Sequence, residues 1–265
     1  MKNKKENILI IGAGLCGSIL ALRLGQRGYQ VTLIEKRPDL RKIEQDAGRS
    51  INLAFSDRGL NAMKMVGLEN EVEKLCLPMI GRMIHDKNSN KFMSLYSGKE
   101  DKFINSISRP GLNMLLLNAA EKLPNVSLIF NQSCESLDFL NTTAIFRDAN
   151  TKKESTYNAD LIFGTDGAGS VVRNNMYANK SLRLSYSIDW LSHSYKELTI
   201  PATENGKFQD EHKALHIWPR GENMLISLPN LDGSFTVTLF LAHQTGKDNF
   251  EKLTTAEKVN EYFER

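Results

Sequence analysis

Three glycines, in Gly12-Ala13-Gly14-Leu15-Cys16-Gly17, mark the first place where this chain can do chemistry. They follow the apolar run Ile8 to Ile11 and precede a helical pattern, and Glu35 closes the next apolar stretch. In that setting Gly12 permits a tight strand-to-helix turn. Gly14 lets the backbone approach a pyrophosphate, and Gly17 lets helix and strand pack closely. A helix beginning there offers unpaired N–H groups and partial positive charge to phosphates, while Glu35 is placed to accept hydrogen bonds from a ribose. The alternative is a tightly packed turn that holds nothing. A second constellation is Asp160-Leu-Ile-Phe-Gly-Thr-Asp166-Gly167-Ala-Gly-Ser170-Val-Val-Arg173. Ser170 and Arg173 fall on one helical turn, where a positive side chain can meet a phosphate. The competing reading is a capped helix start with Asp166 as N-cap. No nucleophile–base pair or metal-ligand spacing accompanies these motifs. Cys16, Cys76 and Cys134 are far apart and form no C-x-x-C pair, which argues against a disulfide framework or a zinc site and for a reducing, cytoplasmic compartment.

The elements that must position these residues follow from the apolar pattern. Residues 8–11 read as a buried parallel strand, 15–28 as a helix ending at Gly28, and 30–35 as the second strand of a βαβ unit. Helices are expected over 57–66, 110–122 and 255–263, with strands at 126–130, 143–146 and 160–163. From about residue 183 alternating segments at 214–218, 223–228 and 235–241 suggest an antiparallel sheet packed on one side, with Phe235, Val237, Leu239 and Leu241 on one face. The organisation expected is residues 1–75 and 104–180 as a nucleotide-binding domain, 76–103 as a hairpin of a second domain, and 181–265 as that domain's sheet. The chain has 265 residues, ample to bury a core. Its net charge of +3 gives no argument for a nucleic-acid partner, and no apolar run approaches the ~20 residues of a membrane-spanning helix. Oligomeric state is not readable.

The Asp166 segment, following a dinucleotide motif, resembles the second signature of the flavoprotein aromatic hydroxylases. Longer strings narrow the resemblance: Gly48-Arg-Ser-Ile-Asn-Leu-Ala54, Gly81-Arg82-Met-Ile-His85, Asn118-Ala-Ala-Glu-Lys-Leu-Pro-Asn-Val126, Glu197-Leu-Thr-Ile-Pro201, Leu215-His-Ile-Trp-Pro-Arg220, and Leu228-Pro-Asn followed by Ser234-Phe-Thr-Val-Thr-Leu-Phe240. In order along the whole chain, these are similar to the kynurenine 3-monooxygenase family. The resemblance implies an α/β fold: an FAD-binding, Rossmann-like parallel-sheet domain of glutathione-reductase type with an inserted antiparallel-sheet substrate domain. It also implies a reaction in which L-kynurenine, NADPH and O2 give 3-hydroxykynurenine through a flavin C4a-hydroperoxide. No catalytic side chain is then needed.

Carried over motif by motif, the resemblance assigns FAD contacts to Gly12, Gly14, Cys16, Gly17, Glu35, Lys36, Arg37, Ala54, Arg109, Cys134 and Asp166. Arg37 would reach the adenosine end, and the two cysteines would act through backbone or packing. Arg82 and Tyr96 flank a turn-rich stretch (Asp86 to Asn90) that can bring them side by side as a hairpin. A planar guanidinium is the best fixed partner for a carboxylate, and the family's matching pair holds the substrate carboxylate. Phe235, with Ile226 and Leu228 behind it, is the candidate for the aromatic ring, against a reading as ordinary core. His216, Trp218 and Arg220 catch attention as a group, but neighbouring strand residues point to opposite faces, and a structural part is expected of them. The family's third motif, Gly-Asp-Ala-Ala-His, has no match in residues 174–265, so the fold is expected to lack its C-terminal part.

Overall fold

The computed structural model describes residues 6–43, 52–99 and 101–264. In chain order they form β1 (Asn7–Ile11), α1 (Leu15–Gln26), β2 (Gln30–Ile34), β3 (Asn52–Phe55), α2 (Asp57–Met65), α3 (Glu69–Glu73), β4 (Cys76–Met79), β5 (Gly81–His85), β6 (Lys91–Leu95), β7 (Ile104–Ser108), α4 (Arg109–Glu121), β8 (Val126–Ile129), β9 (Gln132–Asp138), β10 (Thr143–Asp148), β11 (Glu154–Asn158), β12 (Leu161–Gly164), α5 (Val171–Ala178), β13 (His193–Ile200), β14 (Ala214–Arg220), β15 (Asn223–Pro229), β16 (Phe235–Ala242) and α6 (Ala256–Phe263). These divide into two units, one of residues 1–45, 62–72 and 110–187 and one of residues 46–61, 73–109 and 188–265.

The first unit is built on a parallel sheet of order β12-β1-β2-β8. Ile8 to Ile11 are all buried because β1 lies between two parallel neighbours, and a strand covered on both faces has no polar side to alternate with. A second, antiparallel sheet of order β11-β10-β9 packs against it. Phe146 and Ala144 of β10, with Cys134 of β9, join Leu9, Ile11, Ile34 and Val172 in one buried cluster. Helix α1 stops at Gln26 rather than at residue 28, and Gly28 makes the turn into β2 at a φ of 89°.

The second unit carries a six-stranded sheet of order β13-β16-β15-β14-β5-β6 and a three-stranded antiparallel sheet of order β3-β7-β4. The larger sheet is antiparallel except where β5 runs parallel to β14. The expectation of one packed side fails for β16: Thr236 and Thr238 are buried as well as Val237, Leu239 and Leu241. The expected boundaries also shift. Residues 104–108, assigned from sequence to the nucleotide-binding part, form β7, and β7 pairs with β3 and β4 in the second unit. Pairing between strands about fifty residues apart leaves no local signature in the sequence.

Candidate flavin and substrate sites

The glycine turn is shaped as a phosphate cradle. Gly12 lies at a φ of 102°, and a Cβ there would stand 2.6 Å from the Thr165 carbonyl oxygen. A Cβ on Gly17 would stand 1.9 Å from the Gly12 carbonyl oxygen. Gly14 is different in kind. It has ordinary extended geometry, with φ −68° and ψ −177°, and a Cβ there would meet no atom within 4 Å. The protein itself therefore does not require this glycine; open space in front of the first turn of α1 does. No side chain caps that turn at Gly14, so its N–H groups and partial positive charge remain available to an anion.

Around the cradle, buried polar groups fix the loop. Glu35 is buried at the end of β2; its Oε2 accepts from Ala13 N–H at 2.8 Å and its Oε1 from Arg37 N–H and Nε at 3.1 and 2.8 Å. Oε2, with a single donor, keeps acceptor capacity for a ribose hydroxyl. Asn113 of α4 was not singled out from sequence, yet it holds the turn directly. Its Nδ2 donates to the Ala13 carbonyl (3.1 Å) and to Ser18 Oγ (2.9 Å), all three residues buried. Only its place in a helical pattern was visible, and that does not show what a side chain reaches.

The Asp166 turn caps a helix start, though not with Asp166 itself as N-cap. Asp166 Oδ1 accepts from Ser170 Oγ at 2.5 Å, and Oδ2 accepts from Val171 N–H at 2.7 Å. Ser170, rather than Asp166, is the N-cap of α5, and its Oγ accepts from Arg173 N–H at 3.0 Å. Arg173 turns back to donate to the Ala168 carbonyl. Thr165 Oγ1 lies 2.9 and 2.7 Å from the carbonyl oxygens of Ile11 and Gly12, so the second motif is stapled to the first within one unit.

The remaining expected contacts are scattered more widely. Lys36 and Arg37 are exposed just past Glu35. Cys16 is exposed on α1, whereas Cys134 is buried and its thiol is pushed up to about 11, chiefly by burial. A thiol reagent at pH 8 should therefore modify Cys16 readily and Cys134 only on unfolding, as read by peptide mass mapping. Ala54 on β3 and Arg109, the first residue of α4, are exposed and belong to the second unit. Gly48, Arg49, Ser50 and Ile51 lie outside the described residues.

Arg82 and Tyr96 do meet. The Arg82 guanidinium stands over the Tyr96 ring, 5.0 Å from its centroid, a cation–π contact that pre-orients the fork. Tyr96 is fixed by its N–H, which donates to the Ile80 carbonyl at 3.2 Å. Its hydroxyl is sealed from solvent with no hydrogen-bond partner among the described residues, and burial pushes its pKa up, against the opposing pull of Arg82. An orphan hydroxyl costs about 1–3 kcal/mol. A carboxylate held by Arg82 would give it an acceptor.

The sheet register decides what shares a face with Arg82. Arg82 pairs with Leu215, and Leu228 pairs with Thr236 across the sheet. Leu215, Leu228 and Met79 form a buried cluster against which Ile104, Ile217 and Ile226 pack. Ile226 and Leu228 therefore lie on the Arg82 face. Phe235 does not: it is on the reverse face, 1% exposed, edge-on to His216 (5.5 Å) and Phe208 (5.6 Å). The one-residue offset between Thr236 and Phe235 puts the two on opposite sides, so the expectation of Phe235 as a ring contact is corrected to core. Phe235→Leu should cost about 1–2 kcal/mol of stability and leave ligand affinity at the Arg82 face unchanged, as measured by denaturant unfolding and titration.

His216, Trp218 and Arg220, spaced by two, share that reverse face rather than alternating. Trp218 stacks on His85 at 4.1 Å, and Arg220 donates to the His85 and Asp86 carbonyls at 3.0 and 3.2 Å. His85, His216 and Asp210 bring potential ligand atoms within 4.8 Å of one another. Each already has a partner that a metal would have to displace: the imidazoles hold each other at 2.8 Å, and Lys91 Nζ sits 2.7 and 2.9 Å from the Asp210 oxygens.

The parallel sheet, the open glycine cradle and the acid at the end of β2 define a dinucleotide-binding protein. The chain belongs to the family described as FAD binding domain, whose model matches residues 5–263. It is similar in sequence to the kynurenine 3-monooxygenase of Myxococcus xanthus, 43% identical over 98% of this chain and 55% of that protein. It is likewise 45% identical to that of Dictyostelium discoideum, over 97% of this chain and 54% of the relative. The chain thus spans about half the length of the curated relatives it matches. Its fold is shared with p-nitrophenol 4-monooxygenase from Pseudomonas putida (TM-score 0.70, 15% identity, 92% of this chain and 59% of that one). It is shared also with 2-methyl-3-hydroxypyridine-5-carboxylic acid oxygenase (TM-score 0.71, 20% identity, 98% and 64%). No described helix is long and apolar enough to cross a membrane.

Proposed function

We propose that this chain carries the FAD cradle and the substrate-holding sheet of a kynurenine 3-monooxygenase, which hydroxylates L-kynurenine to 3-hydroxykynurenine with NADPH and O2. The observation that carries the reading is the Arg82–Tyr96 pair beside an apolar sheet face, in a chain 43–45% identical to such enzymes along nearly its whole length.

The redox and oxygen-activating chemistry belongs to the bound FAD; the side chains bind, orient and exclude water. The uncapped first turn of α1 and the space before Gly14 receive the pyrophosphate, and Glu35 accepts from the adenosine ribose. Arg82 donates to the substrate carboxylate and the Tyr96 hydroxyl adds a second donor. Ile217 and Ile226, half-buried against the Leu215–Leu228–Met79 cluster, give the aromatic ring an apolar surface that excludes water.

The purified protein should be yellow, and L-kynurenine should accelerate NADPH oxidation with matching formation of 3-hydroxykynurenine. A colourless protein without turnover would remove the claim that this chain is itself the enzyme. Flavin retention with no response to L-kynurenine would point to another aromatic acid.

A further inference from the structure

Behind Arg82, on the reverse face of the same strand, lies a pair of buried histidines that the proposed chemistry does not use. His216 is 0% and His85 6% exposed. His216 Nε2 stands 2.6 Å from the Glu211 carbonyl oxygen, and His85 Nε2 stands 2.8 Å from His216 Nδ1. A carbonyl only accepts, so His216 carries its proton on Nε2 and presents a bare Nδ1. His85 must then be the donor. The contact is then a one-way hydrogen bond from His85 Nε2–H to His216 Nδ1.

Its place in the fold gives it a task. β5 carries Arg82 on one face and His85 on the other, and it leads through a turn to β6 and Tyr96. β6 is an exposed edge strand, so β5 takes its position from β14, to which it is joined in parallel, His85 and His216 being 131 positions apart. No short turn sets that register. Side chains that bridge the two strands from behind include the histidine pair, Trp218 stacked on His85, and Arg220, which reaches the His85 and Asp86 carbonyls.

We propose that the neutral His85–His216 hydrogen bond is a positioning device that locks β5 on β14 and thereby holds Arg82 and Tyr96 in place for the substrate carboxylate. This rests on the substrate reading above. The charged groups facing the pair are Asp210, Lys91 and Arg220. Burial, followed by His216 itself, holds the His85 imidazole down at about 4. An unfolded histidine takes up its proton near 6.5. Between those two values the unfolded state therefore binds more protons, so the stability that the buried pair contributes is present above about 6.5 and is lost as pH falls toward 4.

The test compares His85→Gln, which keeps a donor but does not titrate, with His85→Leu, which has neither. At pH 7 His85→Leu should raise the L-kynurenine dissociation constant roughly tenfold with little change in kcat. His85→Gln should restore most of the affinity and lose the acid limb of the wild-type affinity profile. Equal affinity of His85→Leu and wild type, or failure of His85→Gln to rescue, would overturn the proposal. Two readouts need no substrate. In a Trp190→Phe background, Trp218 fluorescence should report protonation of the stacked His85 in a transition centred near pH 4, absent in His85→Gln. Hydrogen exchange of the β5 amides should quicken in His85→Leu at pH 7, and unchanged exchange would also overturn the lock. If the wild type binds no L-kynurenine, the substrate reading fails, and these two measurements still decide whether the pair holds β5.

Discussion

Gly14→Ala is expected to empty the flavin site without disturbing the fold, and Gly17→Ala to disturb both. At Gly14 a methyl group meets no protein atom within 4 Å and the backbone is in a region any residue adopts. Stability should fall by only about 0.5–1 kcal/mol, the difference between Gly and Ala at an N-cap. The same methyl stands where a pyrophosphate must approach, so FAD affinity should fall at least ~10-fold. At Gly17 the methyl would stand 1.9 Å from a backbone oxygen that cannot swing away, at a cost of about 3 kcal/mol or more. Thermal unfolding of the apoprotein and flavin titration separate the two. Equal loss of stability in both variants would mean that the space before Gly14 serves packing rather than a ligand.

The second large effect belongs to Arg82 and Tyr96. Arg82→Ala removes an exposed guanidinium, so stability should barely change, while loss of a charge-assisted contact of about 1.5–3 kcal/mol should raise the L-kynurenine dissociation constant ~10–150-fold. Tyr96→Phe should act with opposite signs on two readouts. It deletes a buried hydroxyl that lacks a partner among the described residues, so the unliganded protein should be no less stable and even slightly more so. L-kynurenine binding should weaken several-fold because the second donor is gone. Unchanged affinity in Arg82→Ala would remove that residue from the substrate site. A marked loss of stability in Tyr96→Phe would show that the hydroxyl is satisfied within the protein.

What was legible in the sequence was local. The continuous run Ile8 to Ile11, the glycine spacing and Glu35 at the end of β2 announce the βαβ unit because each is decided by residues within about thirty positions. The hairpin that joins Arg82 to Tyr96 is short, and its Asp86–Asn90 turn is visible in composition; Asp86 Oδ1 accepts from the Asn88 and Asn90 N–H groups at 2.8 Å each. What was missed depends on distant pairing. β3 and β7 change unit because they pair with each other, and Asn113 holds the glycine turn from 100 residues away. Phe235 shows a different limit. Alternation told which of its neighbours share its face, but not which face of the sheet carries Arg82, and that follows from the register of β14, β15 and β16.

The placement of β1 between β2 and β12 sets a timetable for synthesis. β1 and β2 leave the ribosome early, but the Gly12 loop is completed by Thr165, whose hydroxyl reaches the Ile11 and Gly12 carbonyls from more than 150 residues downstream. Until that segment emerges, the loop lacks one of its walls and β1 has an unpaired edge. Pairing over such a separation is slow, and an unpaired strand edge is open to association with other chains. FAD capture is thus a late event in the life of the nascent chain, one that follows the interval in which the β1 edge stands open.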